Sequence, residues 1–442
     1  MSPAIVGALA CQKNSFLKSL LTTVVSCKEY QPILSSKDKQ NQNLKAELAE
    51  KAKGLYAVEL EDTILFPEGG GQPHDTGIIT VGAQKIPVSQ VLRDKLAAVH
   101  VTAAPIEVGA AVEVEVDWER RIDIMQQHTG QHLLSAVLDK YKLDTLSWSM
   151  GAQINYLEVP RKIEDHEIEE IKQKINDLIV QNVPIVVHTP DKDGHDLDLS
   201  HIPDDYDLSQ GIVRIITIGD DYDVNPCCGT HLSATGQILA VSVLHQTSIR
   251  GGNSRLHFVC GARVSNLLLS YHKLLKDVSG LQLSCLIDEV SQKVGELSQS
   301  YRKSTSREAS LLKELAALRA AEVYAQFEKG EIKVASLYRE DLKLDYLAQF
   351  QKELTLLINA NPSSSVNYDN NTIILINGDY KSGLGGTVKV VGPLAEQVQG
   401  DLKKLLSNLK GGGRGNTFQG KVTKYEKGEV ENVLKYFESL HI

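Results

Sequence analysis

Apolar and polar residues alternate over much of the first quarter of the chain, the two-residue period of half-buried strands. TTVVSC, LYAVELEDTILF, GIITVGAQKIPVSQVL and AAVEVEVDW carry this pattern and are joined by glycine-bearing turns. Residues 1–120 are therefore expected to form a mostly-β, barrel-like domain. Residues 35–54, SSKDKQNQNLKAELAEKAKG, are polar and lysine-rich, and they read as an exposed loop or frayed helix.

From Arg121 the period becomes helical. Met125, Leu133, Leu134, Val137 and Leu138 recur at helical spacing, and Ile168, Ile171, Ile175, Leu178 and Ile179 mark a second amphipathic helix. GIVRIITIG, ILAVSVLHQTSI and SRLHFVCG follow as strands, which predicts an α+β domain over residues 121–262. Residues 263–329 hold no proline. There Val290, Val294, Leu297, Tyr301, Leu311, Leu315 and Leu318 alternate steps of four and three, interrupted by Ser304 and Glu308. That stretch predicts a helical hairpin or short coiled coil turning near Gly280, either folded back within one chain or pairing two chains in a homodimer. Residues 330–442 alternate strand-like and helical segments, a small α/β domain, so the fold class of the whole is α+β.

The length of 442 residues is too great for one compact core. A formal net charge of -9 argues against a uniformly basic surface but leaves room for a local basic face. Six cysteines over this length do not make a disulfide framework, which points to a reducing compartment. MSPAIVGALACQK lacks a basic flank and no apolar run is long enough to span a bilayer. The expected setting is the cytoplasm, with no membrane partner.

Candidate chemistry lies in QQHTGQHLL, where His128 and His132 stand one helical turn apart and face the same way. Alone, such a pair is weak evidence. NPCCGTH supplies Cys227 and His231, also four apart, with Cys228 as a second thiol. Imidazole nitrogens with thiolate sulfur suit Zn²⁺, and the two halves together point to one zinc ion per chain. Thr129, Gly130 and Gln131 fill the gap where an HExxH metalloprotease carries its glutamate, which disfavours peptide hydrolysis by that route. LEDTILFPEGGGQPHDTG adds three consecutive glycines that let backbone approach a ligand, a longer string than a plain hairpin turn needs.

Taken in order, DTILFPEGGGQP, HTGQH and CCGTH resemble the alanyl-tRNA editing proteins, the AlaX group, in their long form with an added C-terminal domain. DWERRIDIMQQHTGQHLLSAV, GNSRLHFVCGARV and GGGRGNTFQGKV extend the resemblance over nearly the whole chain. It implies His128, His132, Cys227 and His231 as zinc ligands, with Cys227 rather than Cys228 in the motif position. It also implies Thr63 near the substrate's amino acid and Gly69, Gly70, Gly71 and Gln72 as the glycine-rich loop. On this basis Thr63 and Gln72 are the expected catalytic residues, and Gly69, Gly70, Gly71 and Arg255 the expected substrate-binding ones. The implied activity is hydrolysis of the ester in tRNA(Ala) mischarged with serine or glycine. Two positions depart from the pattern: Trp148 stands where related editing domains tend to have glutamine, and Ser254–Arg255 where two arginines are frequent.

A pocket sized for alanine rejects serine only modestly, so a second site that hydrogen-bonds the serine hydroxyl restores fidelity. Thr63 is the candidate for that contact. Arg250, Arg255 and Arg263, and the cluster Lys403, Lys404, Lys410, Arg414, Lys421 and Lys424, are candidates for RNA phosphates, although lysines near a helix C-terminus also simply favour the helix dipole. Amino-acid activation by a class II synthetase calls for a further large catalytic domain, and no stretch resembles one. The competing expectations are editing of another tRNA, such as seryl-tRNA(Thr), and a catalytically silent zinc-containing tRNA-binding module.

Overall fold

The computed structural model describes residues 3–32, 47, 48, 50–188, 212, 214–220, 222–340, 344–378, 381 and 385–440. Most of the polar stretch 35–54 lies outside the described residues. The chain divides into two compact units, Met1–Leu275 and Lys276–Ile442.

The first unit opens with a closed barrel. Its strands are β1 (Ser19–Glu29), β2 (Tyr56–Leu60), β3 (Gly77–Val81), β4 (Gln84–Asp94), β5 (Ala97–Thr102) and β6 (Ala111–Val116), in the order β1-β2-β5-β4-β3-β6. Alternation sends Val24, Val58, Leu60, Ile79, Ile86, Val88, Val112 and Val114 inward, and pairing of β1 with β6 from Ser19↔Glu115 to Thr23↔Ala111 closes the ring. The strand expected from LYAVELEDTILF stops at Leu60, and residues 63–66 turn into a buried loop. GIITVGAQKIPVSQVL becomes a hairpin, β3 and β4, turning at Gly82, where φ is 56°. β5 is an additional strand that the alternation of short apolar runs did not mark.

A second core follows in the same unit, built on α1 (Trp118–Asp139), β7 (Ser147–Ser149), β8 (Asn155–Val159) and α2 (Asp165–Gln181). β9 (Ile185–His188), β10 (Ile215–Ile218) and β11 (Asp223–Pro226) make a three-stranded sheet, while β12 (Val241–Ser248) and β13 (Ser254–Cys260) join the four-stranded sheet β12-β13-β8-β7. Asp117 caps α1 by accepting the Arg120 N–H. Ile171, Ile175, Leu178 and Ile179 of α2 are buried as the helical period predicts, with Ile168 at the edge of the same core.

Helix α1 differs from an amphipathic surface helix in being buried on nearly every side, polar residues included. Gln127 compensates by donating to Cys260 O and accepting from Asn155 Nδ2 and Cys260 N. Gly130 allows this close approach, since a β-carbon there would lie 2.3 Å from Cys260 Sγ. Arg121, fully buried, donates through Nε to both oxygens of Asp75 at 3.1 Å and through Nη1 to Ser15 O at 2.9 Å. Asp75 also accepts the Phe66 N–H at 2.7 Å, so one ion pair ties the helix to the loop between β2 and β3.

Helix α3 (Ala262–Asp277) leads to the unit boundary. The second unit contains α4 (Val290–Glu328), β14 (Val334–Arg339), α5 (Leu344–Ala360), β15 (Thr372–Asn377), β16 (Gly386–Val391), α6 (Ala395–Leu405), β17 (Leu409–Gly413), β18 (Thr417–Val422) and α7 (Glu429–Leu440). Its sheet runs β14-β15-β16-β18-β17, with β14 and β15 parallel and the remaining pairs antiparallel. The C-terminal half of α4 and α5 cover one face, and α6 and α7 the other. Among the described residues the heptad stripe on α4 stays exposed at Val294, Leu297, Tyr301, Leu311, Leu315 and Leu318. GGGRGNTFQGK is an edge hairpin rather than a flexible loop, and the absence of side chains at Gly411 and Gly413 lets β17 pass close to β18.

The molecule is a mixed α+β protein. Among the described residues, no helix is long and apolar enough to cross a membrane.

Replacing Asp75 by alanine leaves a buried guanidinium unpaired and is expected to destabilise the protein by about 3–5 kcal/mol, read as a lower urea midpoint. Adding Arg121→Met to Asp75→Ala should recover most of that loss.

Candidate metal centre and its cavity

Two segments far apart in sequence meet at one point. His128 and His132 project from successive turns of α1, and the turn after β11 brings Cys227 and His231 opposite them. One ligand atom from each lies within 4.8 Å of all the others. Cys227 Sγ is 3.4 Å from His128 Nε2 and 3.2 Å from His231 Nε2.

The imidazoles are held from behind. Gln72 Oε1 accepts from His128 Nδ1 at 2.7 Å, and Asp223 Oδ2 from His132 Nδ1 at 3.0 Å. Thr129 Oγ1 lies 3.5 Å from His231 Nδ1 and accepts the Leu232 N–H. With each Nδ1 engaged, the Nε2 atoms turn toward the sulfur, the outer-shell pattern that orients metal-binding histidines. Gln72 is itself locked, accepting from Thr230 N and donating to Thr230 Oγ1, both at 2.9 Å. Gly229 makes room, because a β-carbon there would lie 2.2 Å from the His128 ring and 2.6 Å from Gln72 Oε1.

The electrostatics fit a cation site. Burial works to raise the Cys227 thiol, but the surrounding imidazoles of His128 and His231 and hydrogen bonds from His128 and His132 outweigh it and hold it well below its usual value. Burial likewise opposes charge on His132, yet Asp223 and then Cys227 push it up to about 10. His231 is driven down to about 3, chiefly by burial, and so stays neutral. A ready thiolate and outward-anchored imidazoles are the donor chemistry that a borderline-soft divalent ion takes up.

A cavity of about 720 Å³ opens beside the centre, within the range of small-molecule sites. Its wall includes His128, His132, Cys227, Cys228, Gly70, Trp148, Arg93 and Arg214, and a polar side formed by Gln131, Ser135 and Thr145. Gln131 Nε2 donates to Ser135 Oγ at 3.0 Å, which is 2.7 Å from Thr145 Oγ1. Arg214 is itself buried and donates to Gly229 O and Gln12 O, each at 2.8 Å. Burial and the neighbouring Cys227 push the Cys228 thiol up to about 11, which favours the thiol over the more nucleophilic thiolate.

The structure brings His128, His132, Cys227 and Gly70 to the cavity wall, keeps His231 and Gln72 buried against the ligand cluster, and puts other expected residues elsewhere. Gly69 and Gln72 exchange backbone hydrogen bonds of 3.1 Å around Gly70 and Gly71, whose φ angles are 60° and 80°. The glycine string is thus a tight hairpin turn needing left-handed backbone, and the N–H groups of Gly69 and Gln72 serve the turn instead of a ligand. Gly71 packs beneath Trp148, where a β-carbon would meet the ring at 2.7 Å, and Trp148 stacks on His128 at 5.1 Å. Thr63 is buried behind the loop and does not line the cavity: its hydroxyl bonds His100 Nε2 at 2.8 Å and accepts the Leu65 N–H at 3.0 Å. His100 donates through Nδ1 to Val58 O and is held neutral by burial, its pKa lowered to about 4. Arg255 lies outside the cavity wall, over the Tyr156 ring, and Arg263 forms an ion pair with Asp123.

Asp223 and Thr129 escaped sequence reasoning. Asp223 stands four residues before Cys227, yet nothing local says that its carboxylate reaches His132.

Comparison with known proteins bears on the same residues. Residues 18–120 match the model for class II (A) tRNA synthetases, and residues 213–257 match the threonyl and alanyl tRNA synthetase second additional domain. The first match falls on the barrel. The chain is 38% identical to the alaX protein of Saccharomyces cerevisiae, over 99% of this chain and 97% of that one. It is 31% identical to the alanyl-tRNA editing protein Aarsd1-B of Xenopus laevis, over 97% of both chains. It belongs to the alanyl-tRNA editing protein family. The alanine–tRNA ligase of Pyrococcus furiosus is 29% identical over 85% of this chain but only 41% of its own length. The family thus covers both cores of the first unit and the whole second unit.

Gln72→Ala is expected to weaken metal affinity roughly 10–100-fold, measured by competition with a chromogenic chelator. Gly229→Ala should have the same direction of effect, because the added methyl group displaces the Gln72–His128 hydrogen bond.

Proposed function

We propose that the protein is a zinc-dependent aminoacyl-tRNA deacylase that removes serine, and also glycine, from mischarged tRNA(Ala) while sparing alanine. The observation that carries this reading is the four-donor centre at the wall of a small-molecule-sized cavity, held by Gln72 from the glycine-rich loop, in a member of the alanyl-tRNA editing family.

His128, His132, Cys227 and His231 would hold the zinc. Bound there, zinc supplies Lewis-acid polarisation of a carbonyl or of water. Four protein donors are the pattern of a closed site, so either one donor yields to substrate or the centre serves to shape the pocket. An aminoacyl ester is already activated, and positioning with electrostatic stabilisation then suffices without a covalent nucleophile. Arg93 and Arg214 bring positive charge to the cavity wall, and Trp148 with His128 closes one side.

The Gln131–Ser135–Thr145 row offers the seryl hydroxyl a hydrogen-bonding partner, which alanine would leave unpaired. Thr63 acts from behind, fixing the Leu65 N–H and hence the loop that carries Gln72. Phosphate contacts further along the tRNA fall to the β16-β18-β17 end of the second unit's sheet, where Lys389, Lys410 and Lys421 share one side. The exposed heptad stripe on α4 supports a homodimer. All six cysteines are free thiols, which suits the reducing cytoplasm.

Seryl-tRNA(Thr) is the second substrate to consider, since the model matched by residues 213–257 describes threonyl as well as alanyl synthetases. The test is deacylation of Ser-tRNA(Ala), Gly-tRNA(Ala), Ala-tRNA(Ala) and Ser-tRNA(Thr) by purified protein with zinc quantified in the same sample. Turnover of mischarged tRNA(Ala) with Ala-tRNA(Ala) spared is the expected result, and His132→Ala should abolish it together with the zinc. Stoichiometric zinc without turnover would make the protein a silent tRNA-binding module. Thr145→Val is expected to narrow the rate ratio between Ser-tRNA(Ala) and Ala-tRNA(Ala) by about tenfold or more, measured as kcat/KM.

A further inference from the structure

The sheet β12-β13-β8-β7 has a second face that the metal centre does not use. Leu157, Val159, Leu256 and Phe258 point into the core with Trp148 beside them, so strand alternation turns Tyr156, Glu158, Arg255 and His257 outward. Register puts Ser149 beside Tyr156 and Tyr156 beside His257. A bulge in β12 between Val243 and Gln246 re-aims His245, whose ring stacks on His257 with centroids 4.3 Å apart and planes at 12°. The Tyr156 and His257 centroids are 6.1 Å apart, and the Arg255 guanidinium sits 4.5 Å over the Tyr156 ring. Thr247 Oγ1 lies 3.1 Å from His257 Nε2 and steadies that ring.

The result is a row of three rings, one on each of β8, β13 and β12, with successive centroids 6.1 and 4.3 Å apart. His245 is exposed and Tyr156 and His257 are half-buried. Their surroundings, Ser147, Ser149, Thr247, Glu158 and Arg255, are polar, so the face lacks the continuous apolar patch that a protein partner would need. The row also begins at the cavity. β7 is the edge strand, and its Ser147 and Trp148 line the cavity wall, so a chain leaving that cavity over β7 meets Tyr156 first and then the stacked histidines.

We propose that this outer face binds the unpaired nucleotides preceding the aminoacylated end of the RNA, with bases stacking on Tyr156 and on the His257–His245 pair and Arg255 facing the phosphate backbone. The proposal rests on the reading of the substrate as an aminoacyl ester of RNA. Bases stack on aromatic rings with little regard to sequence, which suits a surface that must guide a single strand into a cavity. Glu158 pairs with Arg255 Nε at 3.7 Å, which favours the guanidinium's place over the ring, and the Arg255 side chain remains 41% exposed.

Binding of a fluorescein-labelled single-stranded RNA hexamer to the full chain, followed by anisotropy, tests the surface without requiring turnover. His257→Ala and His245→Ala should each weaken binding about tenfold, whereas His257→Phe, which keeps a ring, should bind nearly as the parent does. If the parent fails to bind saturably, if the alanine variants bind as tightly as the parent, or if His257→Phe loses as much as His257→Ala, the stacking surface is wrong. With charged tRNA, His257→Ala should raise KM about tenfold and leave kcat unchanged; a fall in kcat alone would overturn the assignment. Ring-dependent hexamer binding without ester hydrolysis would keep the surface and refute the deacylase reading, and hydrolysis with ring-independent binding would do the reverse.

Discussion

The buried ion pair between Arg121 and Asp75 is the interaction on which the geometry of the first unit depends. Both side chains are sealed from water, which is costly for each charge alone, and their mutual hydrogen bonds with Ser15 O and the Phe66 N–H offset that cost. Arg121 stands two turns before His128 on α1, and Asp75 stands three residues after Gln72. Joining them fixes the helix that bears two histidines against the loop that supplies the partner of one of them. The Gln72–His128 hydrogen bond is a consequence of that larger lock.

The metal centre inherits its order from such outer contacts. Three imidazoles crowd around one sulfur only because Gln72, Asp223 and Thr129 hold their far nitrogens, and because Gly229 and Gly130 remove atoms that would keep the segments apart. The glycines of this region therefore serve packing as much as flexibility. Gly70 and Gly71 supply the left-handed turn, and Gly71 also lets Trp148 settle over it against His128. That stacking gives the tryptophan, which departs from the family pattern, a place in the cavity wall.

Sheet alternation links the cavity to the rest of the surface. The same β7 that presents Trp148 inward leads outward to the ring-bearing face of β8, β13 and β12. One sheet can then take part in two operations, closing a pocket on one side and offering a stacking surface on the other, because successive side chains point to opposite faces.

Much of this was legible in the chain. The two-residue period announced the barrel strands, the helical period announced α1 and α2, and the spacing of His128 with His132 and of Cys227 with His231 announced two halves of one ligand set. Those signals are local, since each depends on residues a few positions apart. What the tertiary structure decided are contacts across long stretches: Gln72 to His128 over 56 positions, His132 to Asp223 over 91, and Thr129 to His231 over 102. The same holds for Thr63, which looked like a pocket residue until His100, brought over from β5, took up its hydroxyl. Periodicity is written into neighbouring residues, whereas the partner of a buried polar group is chosen by which segments the folded core brings within hydrogen-bonding reach.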